Sequence, residues 1–159
     1  MPTLLDAIPN LHIRFVLHGS GEVVGLAREL AVCSLVVQEL LTDVELLAAE
    51  DEVVLTIPAC PQVPVGAEEL ALANRVVRAF CQLFPAEVAA QWENVEWWAE
   101  KMRTHEHALL PLAGALPLVA LVRAANWARY MHTPLLDAFV VHVLQTRFPD
   151  FPLSQLATF

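Results

Sequence analysis

The sequence predicts an α/β fold, a small mixed three-stranded sheet with helices that gives way to helices alone, and three observations predict it. Leu11 to Leu17, LHIRFVL, alternates apolar and polar residues as a half-buried strand does. His18-Gly19-Ser20-Gly21 then supplies turn chemistry before a second short β-branched run, Glu22 to Ala27, and the pair reads as a hairpin. Beyond Pro58 the apolar spacing becomes helical, with prolines as punctuation.

From Arg28 to Asp43, Leu30, Cys33, Val37, Leu40 and Leu41 fall on one face, the pattern of an amphipathic helix. A looser acidic stretch, Glu45 to Glu52, leads to Val53-Val54-Leu55-Thr56-Ile57, a short buried strand bounded by Pro58. A loop with three prolines, Pro58 to Gly66, precedes a helix over Ala67 to Phe84, which Pro85 stops. Ala86 to Arg103 reads as one further helix with Trp92, Val95 and Trp98 on a single stripe. Pro117 starts another helix, to about Met131. Thr133-Pro134 repeats that signal as an N-cap and first helical residue, for a helix with Leu136, Phe139, Val140, Val143 and Leu144 on one stripe. A last short helix is expected over Pro152 to Phe159. The 159 residues suit one domain, with a core over 11–131 and a helical extension over 132–159.

Hydrophobic residues make up 57% of the chain and charged residues 17%, so either the core is large or apolar surface is reserved for a partner. A net charge of -9 argues against nucleic acid and anionic lipid as partners. The longest uncharged run, Ala108 to Val122, is too short for a bilayer and contains Pro111 and Pro117, and Met1 to Asn10 lacks the pattern of a signal peptide. The expectation is a soluble intracellular chain, cytoplasmic or nuclear, with no membrane contact. Cys33, Cys60 and Cys81 form no CxxC pair and read as small apolar residues in a reducing compartment. Lys101 is the only lysine, against eight arginines.

No motif calls for catalysis. His105 and His107 lack further ligands nearby, so a solvated loop explains them better than zinc and no metal is expected. The hairpin turn accounts for Ser20 without a nucleophile elbow, and no glycine pattern cradles phosphate, so neither enzyme activity nor a cofactor is expected. Core packing is the favoured reading of Trp92, Trp97 and Trp98; adjacent Trp97 and Trp98 face different ways, so the alternative places one of them at the surface or an interface.

At the level of whole segments the chain resembles a known family. EVVGLARELAVCSLVVQELLTD, Glu22 to Asp43, is similar to the second strand and following helix of the S-phase kinase-associated adaptors, which link F-box subunits to cullin ubiquitin ligases. VVLTIP and the helix ending in AFCQLF fit the next strand and helix of that family, and RAANWARYMHTPLLDAF, Arg123 to Phe139, resembles its LAANYLDIKGLLDV signature with two residues added between Trp127 and Leu135. FPLSQLATF resembles its TPEEIRKTF.

The resemblance implies a BTB/POZ (SKP-like) fold with appended partner-binding helices, and a non-enzymatic adaptor in ubiquitin-dependent protein degradation. It assigns F-box binding to Leu136, Phe139, Val143, Phe148, Pro152, Leu153, Leu156 and Phe159, and the cullin-facing surface to Asn126 and Trp127. The implied partners are an F-box or F-box-like protein and a cullin, with self-association open to the unpartnered chain. Two departures from the family pattern, a missing acidic loop around Pro85 to Ala90 and Trp127 in place of tyrosine, define an alternative. In it the chain is a structural scaffold subunit that pairs with an F-box-like protein outside any ligase.

Overall fold

The computed structural model describes residues 10–42 and 53–158. The expected acidic stretch Glu45 to Glu52 and Phe159 lie outside the described residues. The chain is mixed α/β, 60% helical, with one three-stranded sheet.

Strand β1 (Leu11–Val16) is central and pairs antiparallel with β2 (Val23–Leu26), Ile13 opposite Leu26 and Phe15 opposite Val24. The turn between them closes through Leu17 N–H to the Glu22 carbonyl at 2.8 Å, and Gly19 and Gly21 take the positive φ values, 91° and 71°, that this reversal needs. Strand β3 (Val53–Ile57) lies parallel to β1 on its other side, Ile13 opposite Leu55, so the sheet order is β2-β1-β3. The alternation predicted from sequence holds: Leu11, Ile13 and Phe15 of β1 and Val53, Leu55 and Ile57 of β3 face the core, while His12, Arg14, Val54 and Thr56 face out.

The helix expected over 28–43 is broken. Helix α1 (Leu30–Cys33) ends at Ser34, whose backbone is extended (φ -121°, ψ 121°), and α2 (Leu35–Thr42) begins beyond it. The break has a cause in the distant chain. Buried Ser34 Oγ donates to the Met131 carbonyl at 2.7 Å, and Leu35 N–H donates to the His132 carbonyl at 3.1 Å. The first free N–H groups of α2 thus meet carbonyls at the end of another helix, satisfying both termini. Leu30, Cys33, Val37 and Leu41 are buried as expected, and Leu40 is partly so.

Helix α3 (Ala67–Leu83) packs against β2 and has Leu70, Leu72, Val76, Val77 and Phe80 buried. Its Asn74 amide holds the end of β2 at both polarities: Oδ1 accepts from Ala27 N–H at 2.7 Å and Nδ2 donates to the Gly25 carbonyl at 2.9 Å. The segment after Pro85 is two helices, not one. Helix α4 (Pro85–Gln91) stops at Trp92, and α5 (Val95–Thr104) starts at Asn94, whose side chain accepts from Trp97 N–H at 3.0 Å. Asparagine is a strong N-cap and ends the preceding turn as it begins the next. The stripe of Trp92, Val95 and Trp98 therefore does not exist as one face: Trp98 is buried, Trp92 is partly exposed and Val95 is exposed.

The expected loop around His105 to His107 contains a short helix, α6 (Glu106–Leu109), followed by a 3-10 turn over Leu110–Ala113. Helix α7 (Leu118–Tyr130) follows, with Pro117 at its N-cap. It ends in a two-bond cap in which Thr133 N–H reaches the Ala128 carbonyl at 2.9 Å and His132 N–H reaches the Arg129 carbonyl at 3.1 Å. His132 takes the left-handed conformation there, φ 49°, which favours glycine. His132→Gly is therefore expected to stabilise the fold by about 0.5–1 kcal/mol, read as a higher denaturant midpoint at unchanged slope.

Helix α8 (Pro134–Arg147) has Pro134 in its first turn as predicted, but the Thr133 side chain makes no capping bond. It turns instead toward the Met131 carbonyl at 3.5 Å. The helix expected over 152–159 is a single 3-10 turn, Leu153–Gln155. The core is continuous from the sheet to α8, and Phe80 sits at its centre with ring contacts to Phe84, Trp98 and Phe139 at centroid separations of 6.0, 5.4 and 6.1 Å.

Candidate partner-binding surface

Helix α8 buries Leu135, Leu136, Ala138, Phe139, Val140, Val143 and Leu144, which occupy most of its circumference. Three of the residues expected to receive a partner, Leu136, Phe139 and Val143, are fully enclosed. Phe139 stands edge-on to Phe80 at 90°, so this stripe joins α8 to its own domain and does not form a surface. The physical reason is the helix's position: α5 packs on one side of it and α7 on the other. Outside the buried stripe, α8 leaves Gln145, Thr146 and Arg147 exposed and Pro134, Asp137, Val141 and His142 partly exposed.

Beyond α8 the chain reverses. Phe148, Phe151 and Leu153 are partly exposed, Pro149 and Pro152 are exposed, and Leu156 folds back into the core at 4% exposure. The segment after Leu156 is then held on α7 from both sides of one peptide residue: Asn126 Oδ1 accepts from Ala157 N–H at 2.8 Å, and Arg129 Nη1 donates to the Ala157 carbonyl at 3.2 Å. The same guanidinium donates through Nε to Asp137 Oδ1 at 3.1 Å, tying α7, α8 and the returning chain together.

Two adjoining clefts run along the α5–α8 side, of about 320 Å³ and 310 Å³, and both include Val95, Arg129 and Asp137 in their walls. Glu93, Ala128 and His132 also line the first, and Ala99, Ala138, Val141, Arg103 and His142 the second. Among the described residues no group of three metal-ligating side chains comes together.

His105 caps α5, its Nδ1 lying 2.8 Å from Thr104 Oγ1 and its ring edge-on to Phe84 at 5.4 Å. Burial pushes the Cys81 thiol up to about 12 and the Cys33 thiol well above its ordinary value, which favours the protonated thiol in both. Burial also raises the Asp137 carboxyl above its ordinary 3.8, against the lowering influence of the Arg129 charge and hydrogen bond. An acid raised on folding takes up a proton as the chain folds, so its stabilising contribution is full below 3.8 and is lost as pH rises through the raised value. Unfolding free energy measured from pH 4 upward should therefore show a downward slope in that window which Asp137→Asn flattens.

Of the two residues expected to face a cullin, Trp127 is 1% exposed and stands edge-on to Phe15 at 5.9 Å. Asn126 is partly exposed but committed to Ala157. Periodicity placed Val95 on a helical stripe and did not single out Ala99, Arg129 or Asp137, which line the clefts with it. The polar pair lay eight residues apart across a helix break, and no pattern within one helix brings such residues together.

No family model, no curated protein and no solved structure matches the chain. No single helix among the described residues is long and apolar enough to cross a membrane.

Proposed function

We propose that this protein is a non-enzymatic adaptor that binds an F-box-type helical motif along the outer side of α8 and the turn that follows it. The observation that carries the reading is that Val141 on α8 and Phe148, Phe151 and Leu153 in the turn after it all remain partly exposed, beyond a helix whose other leucine, valine and phenylalanine side chains are buried. Apolar residues clustered at an open helix end suit recognition of a partner helix. The order hairpin, two short helices, parallel third strand, then helices is what a BTB/POZ (SKP-like) fold implies, and it supports the same reading. Leu136, Phe139 and Val143 then act from beneath, fixing the helix whose outer side meets the partner.

A ligase link would follow from the resemblance, with a cullin as second partner. One observation favours the alternative, a scaffold subunit that holds an F-box-like protein outside a ligase: Trp127 is buried and Asn126 is engaged within the chain. Reconstituting the chain with an F-box-type motif and adding a purified cullin separates them. A ternary complex on gel filtration supports the adaptor, whereas a binary complex that leaves the cullin free supports the scaffold.

A further inference from the structure

Lys101 is the chain's only lysine, so its Nζ is the only side-chain amine in the sequence. That amine is not freely solvated. It lies 4.4 Å from the centre of the Phe84 ring and 5.3 Å from that of Trp97, and the residue is only partly exposed. Both rings are anchored. Phe84 is buried and stands edge-on to Phe80 and His105, and Trp97 stands edge-on to fully buried Trp98 at 4.8 Å. The two aromatic faces cannot drift away from the ammonium without disturbing the core, so the pair is a preformed two-walled clamp for a cation.

We propose that Lys101 is the chain's one side-chain site of amide-forming acylation, and that Phe84 and Trp97 gate it by holding the ammonium between their rings. The donor it takes is an activated acyl group, a thioester or active ester. In the reaction, Nζ releases a proton to solvent base and attacks the carbonyl carbon. The N–C bond forms, the C–S or C–O bond breaks, the leaving group departs with the electron pair, and the second nitrogen proton passes to base. The product amide carries no charge, so modification abolishes the contact with both rings and releases Trp97. A surface cation–π contact of ordinary strength corresponds to roughly a two- to five-fold restraint on the free amine.

The test uses the full chain and a small acetylating active ester, with peptide mapping to separate Lys101 from the α-amine. Lys101 in the folded protein should react several-fold more slowly than the same residue in the urea-unfolded chain, each rate referred to a free lysine amide in the same buffer. Equal rates would overturn the proposal. Trp97→Ala should raise the folded-state rate about two- to five-fold, and an unchanged rate in a variant with wild-type circular dichroism would also overturn it. Where that variant does not fold, the wild-type comparison decides alone. After hydroxylamine removes thiol and phenol esters, Lys101→Arg should leave no side-chain adduct, and undiminished side-chain acylation would contradict the assignment.

Discussion

Phe139→Ala is expected to cost about 3–5 kcal/mol, a large part of the stability of a domain this size. Phe139 is fully enclosed and meets Phe80 edge-on, and Phe80 also packs on Phe84 and Trp98. Truncation leaves a cavity at the junction of α3, α5 and α8, where anchored rings on three helices resist collapse. Urea unfolding monitored by tryptophan fluorescence gives the measurement, with Trp98 reporting on the damaged region. The substitution separates two roles for this side chain. A partner contact at an exposed position would leave the free protein's stability within about 0.5 kcal/mol of wild type.

Removal of residues 132–159 is expected to abolish cooperative folding altogether. On sequence alone this stretch reads as an extension beyond a core over 11–131, yet Leu135, Leu136, Phe139, Val140, Val143 and Leu144 are all buried in the same core as the sheet. Each buried side chain of this kind contributes about 1.5–3 kcal/mol, so losing the set exceeds the net stability of a typical domain. The deletion would also strip α2 of the His132 carbonyl that its first N–H meets, and would expose the inner face of α7. Loss of the sigmoidal thermal transition in circular dichroism, with retained dye binding to apolar surface, is the expected readout. A sharp transition from the shortened chain would show that α8 is dispensable to the core.

Local pattern located most elements, because period and punctuation are local. The alternation of LHIRFVL set which face of β1 is buried, and Gly19 and Gly21 marked the reversal. The two broken helices have different causes. Ser34 breaks the first long helix because its hydroxyl bonds the Met131 carbonyl 97 residues away, and no pattern over 28–43 contains that partner. Asn94 was legible as a cap in principle, but the tryptophan spacing around it matched a continuous helix more strongly.

The candidate surface was legible only in outline. The stripe of Leu136, Phe139 and Val143 was legible as apolar but was expected to meet a partner, and it is buried within the chain. Which body covers an apolar stripe is a tertiary question, and the answer came from α5 and α7. Phe148, Pro152 and Leu153 do reach the surface, while Leu156 returns to the core. Resemblance to the adaptor family carried the functional reading further than periodicity could, and the buried setting of Trp127 narrows which part of that reading needs a cullin.

The most direct test of the adaptor reading is a calorimetric titration of the full chain with a purified F-box-type helical motif, run in parallel on Val141→Asp and Val54→Asp. Val141 lies on the outer side of α8, whereas Val54 is exposed on the outer face of the sheet. The account predicts saturable binding by wild type, weakened at least about tenfold by the buried charge of Val141→Asp and unchanged by Val54→Asp. Absence of binding by the folded wild-type chain, or equal affinity in both variants, would contradict it.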